Sequence, residues 1–172
     1  MRDKYGREIT YLRVSLIDRC NLRCFYCMPH GLSNPFKENE LLTLEEVSAI
    51  ISVFAELGIN KIRLTGGEPL LRRGVPELVS RVKAIPGIRE VVMTTNGVLL
   101  DSFAFRLKSA GLDRLNVSLD TLKRERFREI TGLDKLEEVL RGMIVISADL
   151  VKRGLTSQLS QVASTLTKLQ NG

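Results

Sequence analysis

Tyr11-Leu12-Arg13-Val14-Ser15-Leu16-Ile17-Asp18-Arg19-Cys20-Asn21-Leu22-Arg23-Cys24-Phe25-Tyr26-Cys27 is the stretch on which the reading of this chain turns. From Tyr11 to Ile17 the residues alternate, with Leu12, Val14 and Leu16 on one side and Arg13 and Ser15 on the other, the period of a strand. The strand runs directly into Cys20, Cys24 and Cys27, so three thiols gather on the loop at its end. These are the only cysteines in the chain. Met1-Arg2-Asp3-Lys4-Tyr5 is charged from its second residue and has no apolar segment behind it, so no secretory signal is expected and the compartment is read as cytoplasmic and reducing. An odd cysteine count there argues against a disulfide framework and for metal binding or reactivity.

Soft sulfur ligands suit zinc or an iron-sulfur cluster. His30, the only histidine, follows three residues after Cys27 and would complete a Cys3His zinc site in a binding module. All four ligands would then lie within one short loop, where zinc modules usually join two separated pairs. With His30 a bystander, three cysteines leave one iron of a 4Fe-4S cluster open to an exogenous ligand.

Downstream, Thr43-Leu44-Glu45-Glu46 is a capping box. Val47, Ile50, Ile51, Phe54 and Leu57 follow at helical spacing before Gly58. Lys61 to Thr65 reads as a second strand, ending in Gly66-Gly67-Glu68-Pro69, and a helix is expected from Val75 to about Ala84. A third strand covers Val91 to Thr95, a helix runs from about Ser102 to Ala110, and Arg114 to Leu119 makes a fourth strand. Strands separated by helices form parallel βαβ units. The expected fold is α/β, a partial, open βα barrel of parallel strands, with a flat doubly wound sheet as the alternative.

Parallel strands covered on both faces read as almost uniformly apolar. These do not. One side presents Leu12, Val14, Leu16, Ile62, Leu64, Val91, Met93, Leu115, Val117 and Leu119. The other presents Arg13, Ser15, Arg63, Thr65, Thr94, Asn96, Asn116 and Ser118. Helices are expected on the apolar side, leaving the polar side concave and lined for a charged substrate, because a buried unpaired arginine costs several kcal/mol.

The chain of 172 residues allows one main domain. Its 44% hydrophobic and 27% charged content excludes a disordered chain, and its net charge of +6 is spread without a basic tail, so no nucleic-acid partner is expected. No apolar run approaches the roughly 18 residues of a membrane span.

The cysteine loop after the first strand and the Gly-Gly-Glu-Pro turn after the second together resemble the radical S-adenosylmethionine (SAM) superfamily. The resemblance is closer to the GTP 3',8-cyclase family of molybdenum cofactor biosynthesis. It is carried by Leu12-Arg13-Val14-Ser15, Asp18-Arg19-Cys20-Asn21, Tyr26-Cys27-Met28-Pro29, Lys61-Ile62-Arg63-Leu64-Thr65-Gly66-Gly67-Glu68-Pro69-Leu70, Thr94-Thr95-Asn96-Gly97 and Asn116-Val117-Ser118-Leu119-Asp120. It runs from about Arg7 to Gly142 and covers the N-terminal half of such an enzyme.

The resemblance implies a radical SAM lyase. Cys20, Cys24 and Cys27 would hold one 4Fe-4S cluster, whose open iron takes S-adenosylmethionine. One electron from a donor then yields methionine and a 5'-deoxyadenosyl radical, which attacks the GTP ribose. Tyr26, Gly67 and Ser118 match residues contacting S-adenosylmethionine; Arg13, Arg63 and Thr94 match residues contacting GTP. Helix starts after Gly67 and Gly97 are expected to add backbone amides at the mouth. Another radical SAM enzyme with an anionic substrate is the rival within the superfamily.

Residues 1–142 are read as a partial radical SAM core and 143–172 as a divergent tail. No cysteine follows Cys27, so a second cluster is not expected on this chain. A truncated, impaired enzyme that cleaves S-adenosylmethionine without completing cyclisation is expected. In the tail, Leu155, Leu159, Val162, Leu166 and Leu169 form a seam of helical spacing, which either covers the chain's own domain or pairs with a second copy in a homodimer.

Overall fold

The structure is a computed structural model that describes residues 2–32 and 34–151. Four parallel strands, β1 (Tyr11–Ser15), β2 (Lys61–Thr65), β3 (Glu90–Thr95) and β4 (Arg114–Val117), lie in the order β1-β2-β3-β4. The connecting helices are α1 (Leu44–Glu56), α2 (Val75–Lys83) and α3 (Leu100–Ser109), followed after β4 by α4 (Arg124–Thr131) and α5 (Leu136–Val151). A doubly wound sheet reverses its strand order at a switch point. Here the order never reverses, and right-handed crossovers in one direction put α1, α2 and α3 on one face. The open α/β arrangement of a partial barrel follows, and the flat doubly wound alternative is excluded.

The strand alternation sorts as expected. Ile62, Leu64, Val91 and Met93 are fully buried and pack with Val75, Leu78, Val79 and Val82 of α2 and Leu100 and Leu107 of α3. Each such side chain contributes about 1.5 to 3 kcal/mol on burial, which makes the helix-covered face the stabilising one. Two details differ from the sequence reading. Val92, which the sequence pattern placed on neither face, has the polar parity yet is fully buried; its register partners on the neighbouring strands are Arg63 and Arg114. On α1 Leu44, Val47, Ile51, Phe54 and Ala55 meet the core, while Ile50, and Leu57 just past the helix end, stay about half exposed, because α1 sits at the end of the helix layer.

Thr43 and Glu46 form the capping box at the start of α1, with bonds of 3.1 Å and 2.7 Å. The sequence pattern predicts no element over 121–142, where the structure has α4 and the first half of α5. Gly142 lies inside α5 and lets it approach the start of α3, since a Cβ there would stand 2.5 Å from the Leu100 Cβ. The helix therefore continues across the boundary drawn at 142. The seam from Leu155 to Leu169 lies outside the described residues. Among the described residues, no helix is long and apolar enough to cross a membrane.

Candidate functional site

Beyond Ser15 the chain leaves the sheet but stays beside β2. Leu16 N–H donates to Thr65 O at 2.8 Å, Gly67 N–H to Ile17 O at 2.6 Å and Glu68 N–H to Arg19 O at 2.8 Å. The Gly-Gly-Glu turn is thus laid flat against the segment that delivers Cys20. A Cβ on Gly66 would sit 2.5 Å from Ile17 O, and one on Gly67 would overlap the Arg19 carbonyl. Glycine is required here for backbone-to-backbone contact. The Gly67 and Glu68 amides are consumed in this contact, and α2 begins only at Val75, after a short 3-10 turn at Pro69–Leu71. The expected helix start directly after Gly67 is therefore replaced by this docking.

The loop is clamped from its other side too. Arg23 N–H donates to Thr131 O at 2.8 Å and Phe25 N–H to Ile130 O at 3.0 Å, both at the end of α4. Leu22 is buried with Phe127, Leu136 and Val139, and this small second core also packs against Cys20 and Cys24. Cys27 is exposed and closes a turn through its N–H to Cys24 O at 2.9 Å. Burial pushes the Cys24 thiol up, the Tyr26 hydroxyl pulls it partly back, and the nearby sulfurs of Cys20 and Cys27 raise it further. The Tyr26 hydroxyl donates to Asp120 Oδ2 at 2.7 Å, and that bond is the main reason its own pKa is raised. Ser118, one residue past β4, keeps a backbone bond from its N–H to Thr95 O at 2.8 Å. Tyr26, Gly67 and Ser118 therefore all lie at the C-terminal ends of the strands, where ligands of parallel sheets bind.

On the open face Arg13 and Arg63 are register partners on β1 and β2. Each reaches diagonally to the next strand: Arg13 Nη2 donates to Thr65 Oγ1 at 3.4 Å and Arg63 Nη1 to Thr94 Oγ1 at 3.1 Å. Among the described residues neither pairs with a carboxylate, and the buried Arg63 Nε has no hydrogen-bond partner. At the opposite end of the strands the charges are matched, with Glu90 taking Lys61 at 2.7 Å and Arg114 at 3.3 Å.

Glu68 is fully buried. Its carboxylate accepts from Leu70 N–H at 3.0 Å, Thr95 Oγ1 at 2.7 Å and Asn96 N–H at 2.8 Å. Asn96 in turn bonds Asn21 Oδ1 at 2.7 Å. Glu68, Asn21, Asn96 and Asp120 stood in the quoted motifs; alternation put Asn96 on the polar face, but it says nothing about which partners polar residues meet in turns.

A family model described as the radical SAM superfamily matches residues 14–151. The chain is 51% identical over 144 residues to the GTP 3',8-cyclase of Thermodesulfovibrio yellowstonii, covering 83% of this chain and 45% of that protein. It is 56% identical over 131 residues to the GTP 3',8-cyclase of Pelotomaculum thermopropionicum, covering 76% and 40%. The chain thus spans about half the length of the curated relatives it matches. Among solved structures it resembles Streptococcus suis SuiB bound to precursor peptide SuiA, at TM-score 0.65 and 18% identity over 81% of this chain and 30% of that one. It also resembles methylornithine synthase (PylB), at TM-score 0.62 and 17% identity over 80% and 41%. At these identities the two structures speak to the fold.

Membership of that superfamily implies a 4Fe-4S cluster and S-adenosylmethionine, and the donor set fits. Three thiols share one loop, and Cys20 Sγ accepts an N–H from Leu22 at 3.4 Å, as suits a thiolate ligand. His30 is exposed, and among the described residues no three His, Cys, Asp or Glu side chains form a ready metal cage, the three thiols included. The chain belongs to the radical SAM superfamily.

Proposed function

We propose that the chain is the radical SAM core of a GTP 3',8-cyclase, a cytoplasmic lyase of molybdenum cofactor biosynthesis. Cys20, Cys24 and Cys27 hold its single 4Fe-4S cluster, and Tyr26, Gly67 and Ser118 line S-adenosylmethionine. Arg13, Arg63 and Thr94 meet GTP. When bound, the cluster and S-adenosylmethionine supply a one-electron cleavage of a carbon–sulfur bond, the electron coming from an external donor. The chain's own work is to hold the two ligands on neighbouring strands and to keep solvent from the reacting atoms.

The observation that carries the nucleotide reading is the pair of arginines. Like charges directly opposite on adjacent strands are destabilising, and no carboxylate among the described residues relieves this pair. An anion with planar, bidentate oxygen faces would, and a triphosphate offers several. The tethers to Thr65 and Thr94 aim both guanidinium groups toward the same strand ends that carry the cysteine loop.

Anaerobic reconstitution followed by dithionite, with and without GTP, tests the reading through release of 5'-deoxyadenosine. Release is expected, accompanied by GTP binding that Arg63→Ala weakens by about 2 kcal/mol while iron content stays unchanged. Equal loss of iron and GTP would make Arg63 structural, and release with no GTP binding would favour a different anionic substrate. A colourless protein carrying zinc, lost on His30→Ala, would end the reading.

A further inference from the structure

The asparagine that follows β3 connects a buried carboxylate to one cysteine sulfur. Asn96 is held at two points. Its backbone N–H donates to Glu68 Oε2 at 2.8 Å, and its side-chain Oδ1 accepts from Val98 N–H at 3.0 Å. The second bond assigns the two ends of the carboxamide, because only the oxygen can accept from a backbone N–H. Nδ2 therefore faces the cysteine loop, where one hydrogen goes to Asn21 Oδ1 at 2.7 Å and the other to Cys20 Sγ at 3.6 Å. Glu68 is itself immobilised by Leu70 N–H and by Thr95 Oγ1, which also accepts from Gly97 N–H at 3.1 Å.

Cys20 Sγ thus receives two N–H donors, from Leu22 and from Asn96. We propose that Asn96 is a positioning residue that sets the reduction potential of the cluster by donating its side-chain N–H to the Cys20 sulfur. This inference rests on the cluster assignment of the proposed function. Hydrogen bonds to ligand sulfurs are among the determinants of cluster potential. On reduction the cluster gains one electron and no proton, so the added negative charge spreads onto its sulfurs. An N–H donor stabilises that state more than the oxidised one and raises the potential, which eases reduction by a low-potential one-electron donor.

The test is an EPR-monitored redox titration of reconstituted protein against dithionite. Asn96→Ser keeps an oxygen that accepts from Val98 N–H but removes the amide donor. Its reduction equilibrium is expected to move about tenfold toward the oxidised form, about 59 mV at one electron. Asn96→Asp keeps the turn and places a carboxylate beside the sulfur, and is expected to move it further in the same direction. A Ser variant with a complete cluster at the wild-type potential overturns the proposal. Should neither variant load iron, the wild-type protein decides. Asparagine labelled with nitrogen-15 in its side chain gives a nitrogen hyperfine coupling in the reduced cluster if the contact exists, and absence of that coupling overturns the proposal. A wild-type chain that assembles no 4Fe-4S cluster ends the proposed function and this inference together, whereas a cluster indifferent to Asn96 ends only the inference.

Discussion

The two ends of the cysteine loop are built differently. From Ile17 to Phe25 the chain is held by backbone bonds to the Gly-Gly-Glu turn on one side and to the end of α4 on the other, with Leu22 buried between them. From Cys27 to Leu42 most of the described residues are exposed, and among them the tethers to the rest of the fold are sparse: a turn to Cys24, Phe36 N–H on Asp18 Oδ2 at 2.8 Å, and Arg72 Nη2 on Leu42 O at 2.6 Å. The first sulfur is thus placed by the fold, before any cofactor binds. The third is placed by local chain geometry, which a bound metal can adjust. Cofactor binding energy is then not consumed in ordering the whole loop.

The largest test of this contrast is Gly67→Ala. The added methyl overlaps the Arg19 carbonyl, so the docked end must separate from β2, and the metal-free chain is expected to lose about 3 kcal/mol in denaturant unfolding. A change within experimental error would show that the contact does not position Cys20.

Glu68→Gln comes next. Its amide nitrogen would face a donor in place of an acceptor, costing about 2 kcal/mol. It also carries a pH signature. Burial, the largest influence, lifts the Glu68 carboxyl above its ordinary 4.5, with the bonds from Asn96, Thr95 and Leu70 pulling it partly back. The folded state therefore holds this proton more tightly than the unfolded one, and that contribution to stability is complete below pH 4.5 and declines as pH rises through the folded value. Thermal unfolding across this range should show the decline in the wild type and lose it in Glu68→Gln. An identical slope in both would remove Glu68 as its source.

Tyr26→Phe is the smallest change and separates the two ends of the loop most directly. It removes the bond to Asp120, costing less than about 1 kcal/mol at this exposed site. Amide exchange at Cys27 and Met28, both bonded to Cys24 O, is expected to quicken by at most roughly fivefold. Exchange at Arg23 and Phe25, bonded into α4, should stay unchanged. Equal acceleration at all four would mean that the loop opens as one piece.

Much of this was legible in order along the chain. Alternation sorted Leu12, Arg13, Ile62 and Arg63 onto their observed faces because side-chain direction in a strand repeats every two residues. It did not assign Val92, whose burial between its register partners Arg63 and Arg114 depends on neighbours contributed by other strands. The capping box placed α1 because both of its partners lie within four residues. Helix α5 was missed although Leu136, Val139, Leu140 and Met143 have helical spacing, and α4 has too little apolar surface for periodicity to show it.

What the amino-acid order determined by itself was therefore local: strand parity, the spacing of three thiols and the glycine turn after β2. Only the tertiary structure decided which of these groups meet. Asn96 reaches Cys20 across 76 residues, and Tyr26 reaches Asp120 across 94. Those contacts exist because parallel strands, joined by one-directional crossovers, bring all their C-terminal ends to one edge. A hydrogen bond depends on that spatial meeting, and its two partners leave no periodic trace in the sequence between them.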